Sequence, residues 1–517
     1  MTARAFTNGR VLTMTSPGDR AEVVVVEDGR ITAVGGPEVL RRHGGAEIVD
    51  LGGRLLCPGF VDAHHHLSVV ALQPRWADLA GATTVEDIGA RLVAHARAEP
   101  DAPWVRGAGW SDLGTGLLPH RRDLDALNLD RPVVVAHYSL HQAVVDSRGL
   151  DTLGIGAATP DPAGGVIGRD PGGGCSGLLV ERAWSEAHAA SLAPYADPDR
   201  WAEHIEAAAA RLVADGITAV HDAACPPAAE DAYRSLVRAG RLAVSVLAMP
   251  HPAALLGPPE AARLAGPPTG EGDERFRVGA VKLFADGGVL PAIDVHLGGR
   301  PLRMGMRFPD LGAHVERAVA RGFRVAVHAL GNAGLDAALD AFEAAARRRP
   351  GADHRWRVEH ACLASPAQLA RLAALGGVAV VQPGFLHHLG GEVEGVAFDD
   401  AAWLPFGDVA ASGAVMAASS DAPCTFHEPL RTAAHGATRR TSRGRPLDPG
   451  QAVAYEDWLW AYTAGAAHAG GQEAERGTLA PGRRADLVVL DGEVDPDAPP
   501  TVAQTWVGGR LVHGGGG

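Results

Sequence analysis

Lysine is nearly absent from this chain. Lysines and arginines total 47, yet only one of them, Lys282, is a lysine. Cysteine is scarce too. Cys57, Cys175, Cys225, Cys362 and Cys424 form an odd, scattered set without a C-x-x-C pair. That excludes a disulfide framework and fits free buried thiols in a reducing cytosol. No apolar run approaches the ~20 residues that a membrane helix needs. The opening "MTARAFTNGRVLTM" lacks the charged-then-apolar pattern of a secretory signal. Positive charge is outweighed, with a net charge of −14 at pH 7, which argues against nucleic acid or an anionic membrane as partner. There is no short-period repeat and no low-complexity segment beyond the closing glycines. The expectation is a cytoplasmic protein that binds neither nucleic acid nor membrane.

What is present points to an ordinary globular protein: 517 residues, 46% hydrophobic and 21% charged. The 66 glycines and 36 prolines are spread along the chain, which implies many short loops. The first ~55 residues alternate β-branched runs with Asn-Gly and Asp-Gly turns, as in "RAFTNGRVLTM" and "EVVVVEDGRITAVG". The C-terminal "ADLVVLDGE" and "QTWVGGRLVHGG" have the same character. Neither end buries a face alone, so residues 1–56 and 475–517 are expected to pair into one small β-sandwich.

Between them a different rhythm runs through residues 57–474. Eight short apolar runs recur: "GFVDAH", "GITAVHDA", "LAVSVLAMP", "GAVKLFAD", "FRVAVHAL", "WRVEHAC", "GVAVVQP" and "AVMAASSD". Val- and Ala-rich runs that are apolar on both faces read as buried parallel strands. "GLDAALDAFEAAARRR" and "SPAQLARLAALGG" read as amphipathic helices between them. The fold class is therefore α/β, a (β/α)8 TIM-type barrel. About 150 residues separate the first two runs, which predicts an insertion after the first barrel strand, at about 75–210.

The chemistry gathers at the ends of these runs. In "GFVDAHHHL" side-chain alternation puts His64 and His66 on one face and His65 on the other. An H-x-H pair at a strand end presents two imidazole nitrogens to one metal ion. His328 closes the fifth run, His360 the sixth and Asp421 the eighth, while Lys282 lies inside the fourth. In a barrel these ends converge on one mouth, where active sites lie. Lys282 is singular because a structural cation could have been arginine, which does not lose its proton in a protein. A buried lysine does, and its neutral amine has two uses. It forms a Schiff base with a carbonyl, or it takes up carbon dioxide to become a carbamate that bridges two metal ions. The surrounding ligand types favour the carbamate.

At these residues the chain resembles a known family. "PGFVDAHHHL", "VKLFADGG", "VAVHALGNAG", "RVEHAC", "SSDAP" and "GTLAPGRRADLVVL" are similar to segments of the amidohydrolase superfamily. "HQAVVDSRGL" and "TPDPAGGVIGRDPGGGCSGLL" resemble its metal-dependent hydrolase branch known as amidohydrolase family 3, which includes N-substituted formamide deformylases. The resemblance implies one or two divalent metal ions, with zinc the expected one. It implies His64, His66 and Asp421 on the more buried ion, a carboxylated Lys282 as bridge, and His328 and His360 on the second. Two positions depart from the branch: Asn332 stands where aspartate is usual, and His137 where arginine is frequent.

The expected activity is hydrolysis of a C–N bond in a small amide, N-acyl or N-formyl compound by metal-activated hydroxide. A metal ion lowers the pKa of bound water from 15.7 toward ~7. Asp421 is the candidate for taking a proton from water and delivering it to the leaving nitrogen. His141 and Trp110 are candidates for substrate contact, with a core position the alternative for Trp110. His387 and His388 read as solvated loop residues. Two other readings stay open: a catalytically silent scaffold, and a lyase or isomerase using Lys282 as a Schiff base. A homodimer is the default assembly.

Overall fold

The computed structural model describes residues 3–195, 197–251 and 260–514. The last three residues of the closing glycine run lie outside them. All eight apolar runs are strands: Phe60–His65, Ile217–Cys225, Ser245–Pro250, Val281–Phe284, Val325–Ala329, Arg357–His360, Val378–Val381 and Val415–Ala418. They pair in parallel and in chain order, within one four-stranded and one five-stranded sheet. The fourth position is split. Phe276–Val278 pairs with the third strand and Val281–Phe284 with the fifth, separated by Gly279 and Ala280.

Backbone hydrogen bonds carry the order across the gaps. Gly279 N–H donates to Ala248 O at 2.7 Å, and Val281 N–H to Arg324 O at 2.8 Å. Beyond the eighth strand, Asp421 N–H donates to His64 O at 2.7 Å and His66 N–H to Ala422 O at 3.0 Å. The last strand thus reaches back to the first at the residues that carry the chemistry.

The helices follow from local rules. Pro366–Ala374 opens with a capping box in which the Ser365 side chain accepts from Gln368 N–H, with Pro366 in the first turn. Asn332–Arg348 ends on Arg347 and Arg348, which favour the negative end of the helix dipole. Between the first and second strands stands a six-stranded sheet running from Ala77 to Glu181 in the chain. Helices Arg182–Leu192 and Pro198–Leu212 lead from it back to the second strand.

At the chain ends are two further sheets. One holds Arg4–Thr7, Val23–Glu27, Arg30–Gly35 and Glu47–Asp50. The other joins Leu55–Pro58 and Arg10–Leu12 from the beginning of the chain to Leu487–Asp491 and Thr501–Val507 from its end. Phe6, Val24, Leu56, Leu487 and Trp506 share one apolar cluster, so each end covers what the other exposes. All five cysteines are free and buried. Among the described residues no helix is long and apolar enough to cross a membrane.

Candidate active site

His64 stands one residue before the end of the first strand with its ring fully buried, and its orientation is fixed from behind. Nδ1 lies 2.5 Å from Glu359 Oε2 on the sixth strand. Glu359 is held in turn by Arg357, whose Nε donates to Oε1 at 2.9 Å and whose Nη2 donates to Ala63 O at 2.7 Å. Burial opposes the charge on Glu359, but the Arg357 guanidinium and the His64 contact outweigh it and hold the carboxyl far below its ordinary range. His64 Nε2 is left facing Lys282 Nζ and Asp421 Oδ1, each 3.4 Å away.

His66 is fixed in the same way by a different acceptor. Its Nδ1 donates to Ala223 O at 2.9 Å, and its Nε2 lies 3.1 Å from Asp421 Oδ1. Both rings have therefore committed Nδ1–H, and both point an Nε2 lone pair at one carboxylate. Three acceptors facing one another repel unless a proton or a cation lies between them. A proton on His64 is disfavoured, because burial and the nearby Lys282 lower its pKa to about 4. A divalent cation fits this set: two imidazole nitrogens and a carboxylate oxygen with ligand atoms all within 4.8 Å of one another. The carboxylate and carbonyl behind the imidazoles are the partners that metal-binding histidines have.

Burial weighs against ionising Asp421, but its contact with His66 and the nearby His64 and His360 rings hold its carboxyl far below its ordinary range. Its backbone is left-handed at φ 57°, and His360 and Ala361 at the end of the sixth strand have φ 80° and 46°. Non-glycine residues in that region are strained by roughly 1–3 kcal/mol each.

His360 and His328 stand at the ends of the sixth and fifth strands. The His360 ring centroid is 4.9 Å from that of His64 and 4.6 Å from that of His328. His360 Nδ1 is 2.9 Å from Gln382 Oε1, and the Gln382 amide donates to Ser419 Oγ at 2.9 Å. Burial lowers the His360 pKa to about 3. His328 Nε2 is buried without a hydrogen-bond partner, with Asp286 Oδ1 3.8 Å away. Asp286 accepts backbone N–H bonds from Ala292, Leu330 and Gly331 at 2.8–3.0 Å.

Lys282 is fully buried among these rings, and burial lowers its pKa to about 8, so the neutral amine is within reach at physiological pH. His141 stands opposite, its centroid 5.1 Å from that of His328 and its Nδ1 2.7 Å from Glu181 Oε2. Burial works against a charged His141, but Glu181 outweighs it and raises the pKa. Glu181 is also fixed by N–H groups of Val289 and Leu290 at 2.8 and 3.2 Å.

His64, His66, Lys282, His328, His360, Asp421 and His141 all line one cavity of about 510 Å³. Trp184, Trp201, Phe284 and Phe308 give much of the rest of it an apolar wall. Trp110 corrects an expectation. It is fully buried in the apolar cluster of the six-stranded sheet, its Nε1 donating to Val135 O at 3.2 Å, and it does not line the cavity. Its strand is covered by the helix Val85–Ala98, which leaves a large ring there no open side. His387 and His388 pack against Phe426 away from the cavity. His137 pairs with Asp112 at 3.1 Å, and Asn332 with the backbone of Asp294, whose N–H it accepts at 2.9 Å. Sequence reasoning passed over Glu359, Glu181, Asp286 and Gln382. A usable signal existed for Glu359 alone, an acid inside the apolar run "RVEH".

A profile of the amidohydrolase family matches residues 47–513. The chain belongs to this family. An N-substituted formamide deformylase of Arthrobacter pascens is 33% identical over 506 residues, which cover 94% of this chain and 92% of that one. An uncharacterized metal-dependent hydrolase from Pyrococcus horikoshii superposes with a TM-score of 0.74 at 26% identity, over 95% of this chain and 98% of that one. Its counterpart from Pyrococcus furiosus gives 0.72 at 28%, over 95% and 99%. With these neighbours this family member has a TIM-barrel-type α/β fold.

Proposed function

We propose that this family member hydrolyses a C–N bond in a small amide, N-acyl or N-formyl compound with the help of divalent metal. His64, His66 and Asp421 would hold one ion, zinc first among the candidates. His328, His360 and a carboxylated Lys282 would hold a second. The observation that carries the reading is the meeting of side chains from five barrel strands in one cavity, with two Nε2 lone pairs aimed at one carboxylate. A divalent ion bound there supplies Lewis acidity, polarising a carbonyl oxygen and lowering the pKa of water toward ~7.

The remaining work falls to the chain itself. Asp421, ionised and within 3.1 Å of His66 Nε2, takes the proton of the attacking water. It then delivers that proton to the departing nitrogen, which leaves poorly as an anion. His141, held by Glu181 at 2.7 Å, which raises its pKa, is the donor assigned to the oxygen that becomes negative. The apolar wall keeps bulk water from competing. The same reading assigns residues 57–474 to a catalytic barrel, about 75–210 to an insertion beside its mouth, and 1–56 with 475–517 to a β-sandwich.

The test is a panel of N-substituted formamides and N-acyl amines, assayed for free amine. Turnover is expected, lost on chelation and restored by zinc. Asp421→Asn is expected to lower kcat by about 10²–10⁴-fold, the range for a general acid–base. Metal-loaded protein inert on the whole panel, or an Asp421→Asn variant as fast as the native enzyme, would overturn the proposal.

A further inference from the structure

Arg106, on the insertion strand Val105–Trp110, is fully buried and has no carboxylate partner among the described residues. Its guanidinium lies over the Trp76 ring at 4.2 Å and the Trp184 ring at 5.4 Å. It donates to Ser191 Oγ and, at 3.1 Å, to His188 Nδ1. Its Nε has no partner at all. Tyr195, the titratable side chain nearest in effect, is a neutral phenol, its pKa raised by burial. Buried cations are as a rule paired, and here only ring faces and neutral acceptors oppose the charge.

What the arginine does is fix a histidine. A guanidinium only donates, so His188 Nδ1 must accept, and the ring must carry its hydrogen on Nε2. A second proton is excluded by the burial of the ring and the neighbouring cation. His188 is thus a neutral ring whose Nδ1 is occupied as an acceptor and whose remaining polar group, Nε2–H, donates. It lines the same cavity as the six strand-end residues, as do Val69, Leu192 and Trp201, and lies within electrostatic reach of His66.

We infer that this end of the cavity is a subsite for a carboxylate on the non-reacting part of the substrate, which accepts a hydrogen bond from His188 Nε2 while Arg106, as a positioning residue, holds the tautomer and balances the charge. Val69, Trp184, Leu192 and Trp201 line the same cavity, with Ser185 and the exposed Glu186 the polar residues nearest His188 in sequence, so a ligand with a hydrocarbon body and one terminal carboxylate is the class proposed. The inference rests on the cavity being the substrate site but not on turnover, so it is tested by binding.

The probes are benzoate and its uncharged isostere benzamide, titrated calorimetrically into the metal-loaded protein, its His188→Leu variant and its His188→Gln variant. The native protein is expected to bind benzoate at least ~10-fold more tightly than benzamide, the scale of one charge-assisted hydrogen bond. His188→Leu should abolish that preference, while His188→Gln, whose amide N–H reaches a similar place, should keep most of it. If benzamide binds the native protein as well as benzoate does, the inference fails even when neither variant folds. It also fails if His188→Leu, with an unchanged melting transition, keeps the full preference, because the carboxylate then sits on the metal centre. A protein that binds benzoate in the expected pattern yet turns over none of the amide panel would retain the subsite and lose the proposed reaction.

Discussion

Glu359 decides which nitrogen His64 shows to the cavity. A neutral imidazole has one N–H, and a carboxylate 2.5 Å from Nδ1 claims it. In Glu359→Gln the amide can offer its own N–H to Nδ1, and the tautomer of His64 is no longer determined. The expected result is a loss of metal affinity of about 10–100-fold, the effect of altering such outer partners, read by competition with a chromogenic chelator. The metal-free protein should also melt at a lower temperature, because the buried Arg357 loses its counter-charge, so affinity is measured below that transition. The proposed ligands were legible in the sequence because each ends or interrupts an apolar run. Glu359 was not, since its partner is 295 positions away and no local pattern links them. Glu181 escaped for the same reason: its importance lies in touching His141 and the loop at 288–290, both distant along the chain.

The loop after the split fourth strand shows how an element positions that pair. Gly287 and Gly288 lie directly against it, so that a Cβ added at Gly288 would overlap the His141 ring and one at Gly287 the Glu181 carboxylate. The ring can escape only by moving toward His328 or out of its bond with Glu181. Gly288→Ala is therefore expected to lower kcat/KM by about 10-fold or more, since misplacing a catalytic group by ~1 Å has effects up to 10²-fold. A steady-state assay on the best substrate of the panel checks it, with a melting curve to show that the fold is retained. The eight barrel strands could be read from composition, because strands buried on both faces have no polar side to confuse them. Phe276–Val278 could not. It is three residues long with a central arginine, and it becomes a strand only because the third strand beside it offers unpaired N–H and C=O groups.

Taken whole, the molecule keeps an unusual number of neutral histidines inside. His64 and His360 have pKa values lowered by burial to about 4 and about 3, and His65, His188, His221 and His328 lie well below the ordinary value for the same reason. An unfolded histidine titrates near ~6.5. Between that value and the lowered folded ones, the unfolded chain binds more protons than the folded one, so stability falls as pH falls. Asp62 and Asp286, pushed up by burial to about 6 and about 7, take up protons in the folded state over the same range and offset part of the effect. His141, raised by Glu181, also acts in the opposite direction, its contribution being lost as pH rises through its folded value. The lowered imidazoles outnumber the groups that act the other way, so the net effect is a loss of stability as pH falls below the pKa of a free imidazole. Urea unfolding of the chelator-treated protein should therefore show a nearly level midpoint at pH 7.5–8 and a steep fall between pH 6.5 and 5. A midpoint that stays level to pH 5 would mean that these rings are already protonated in the folded state. The lone pairs that face Asp421 would then not be free for a metal ion.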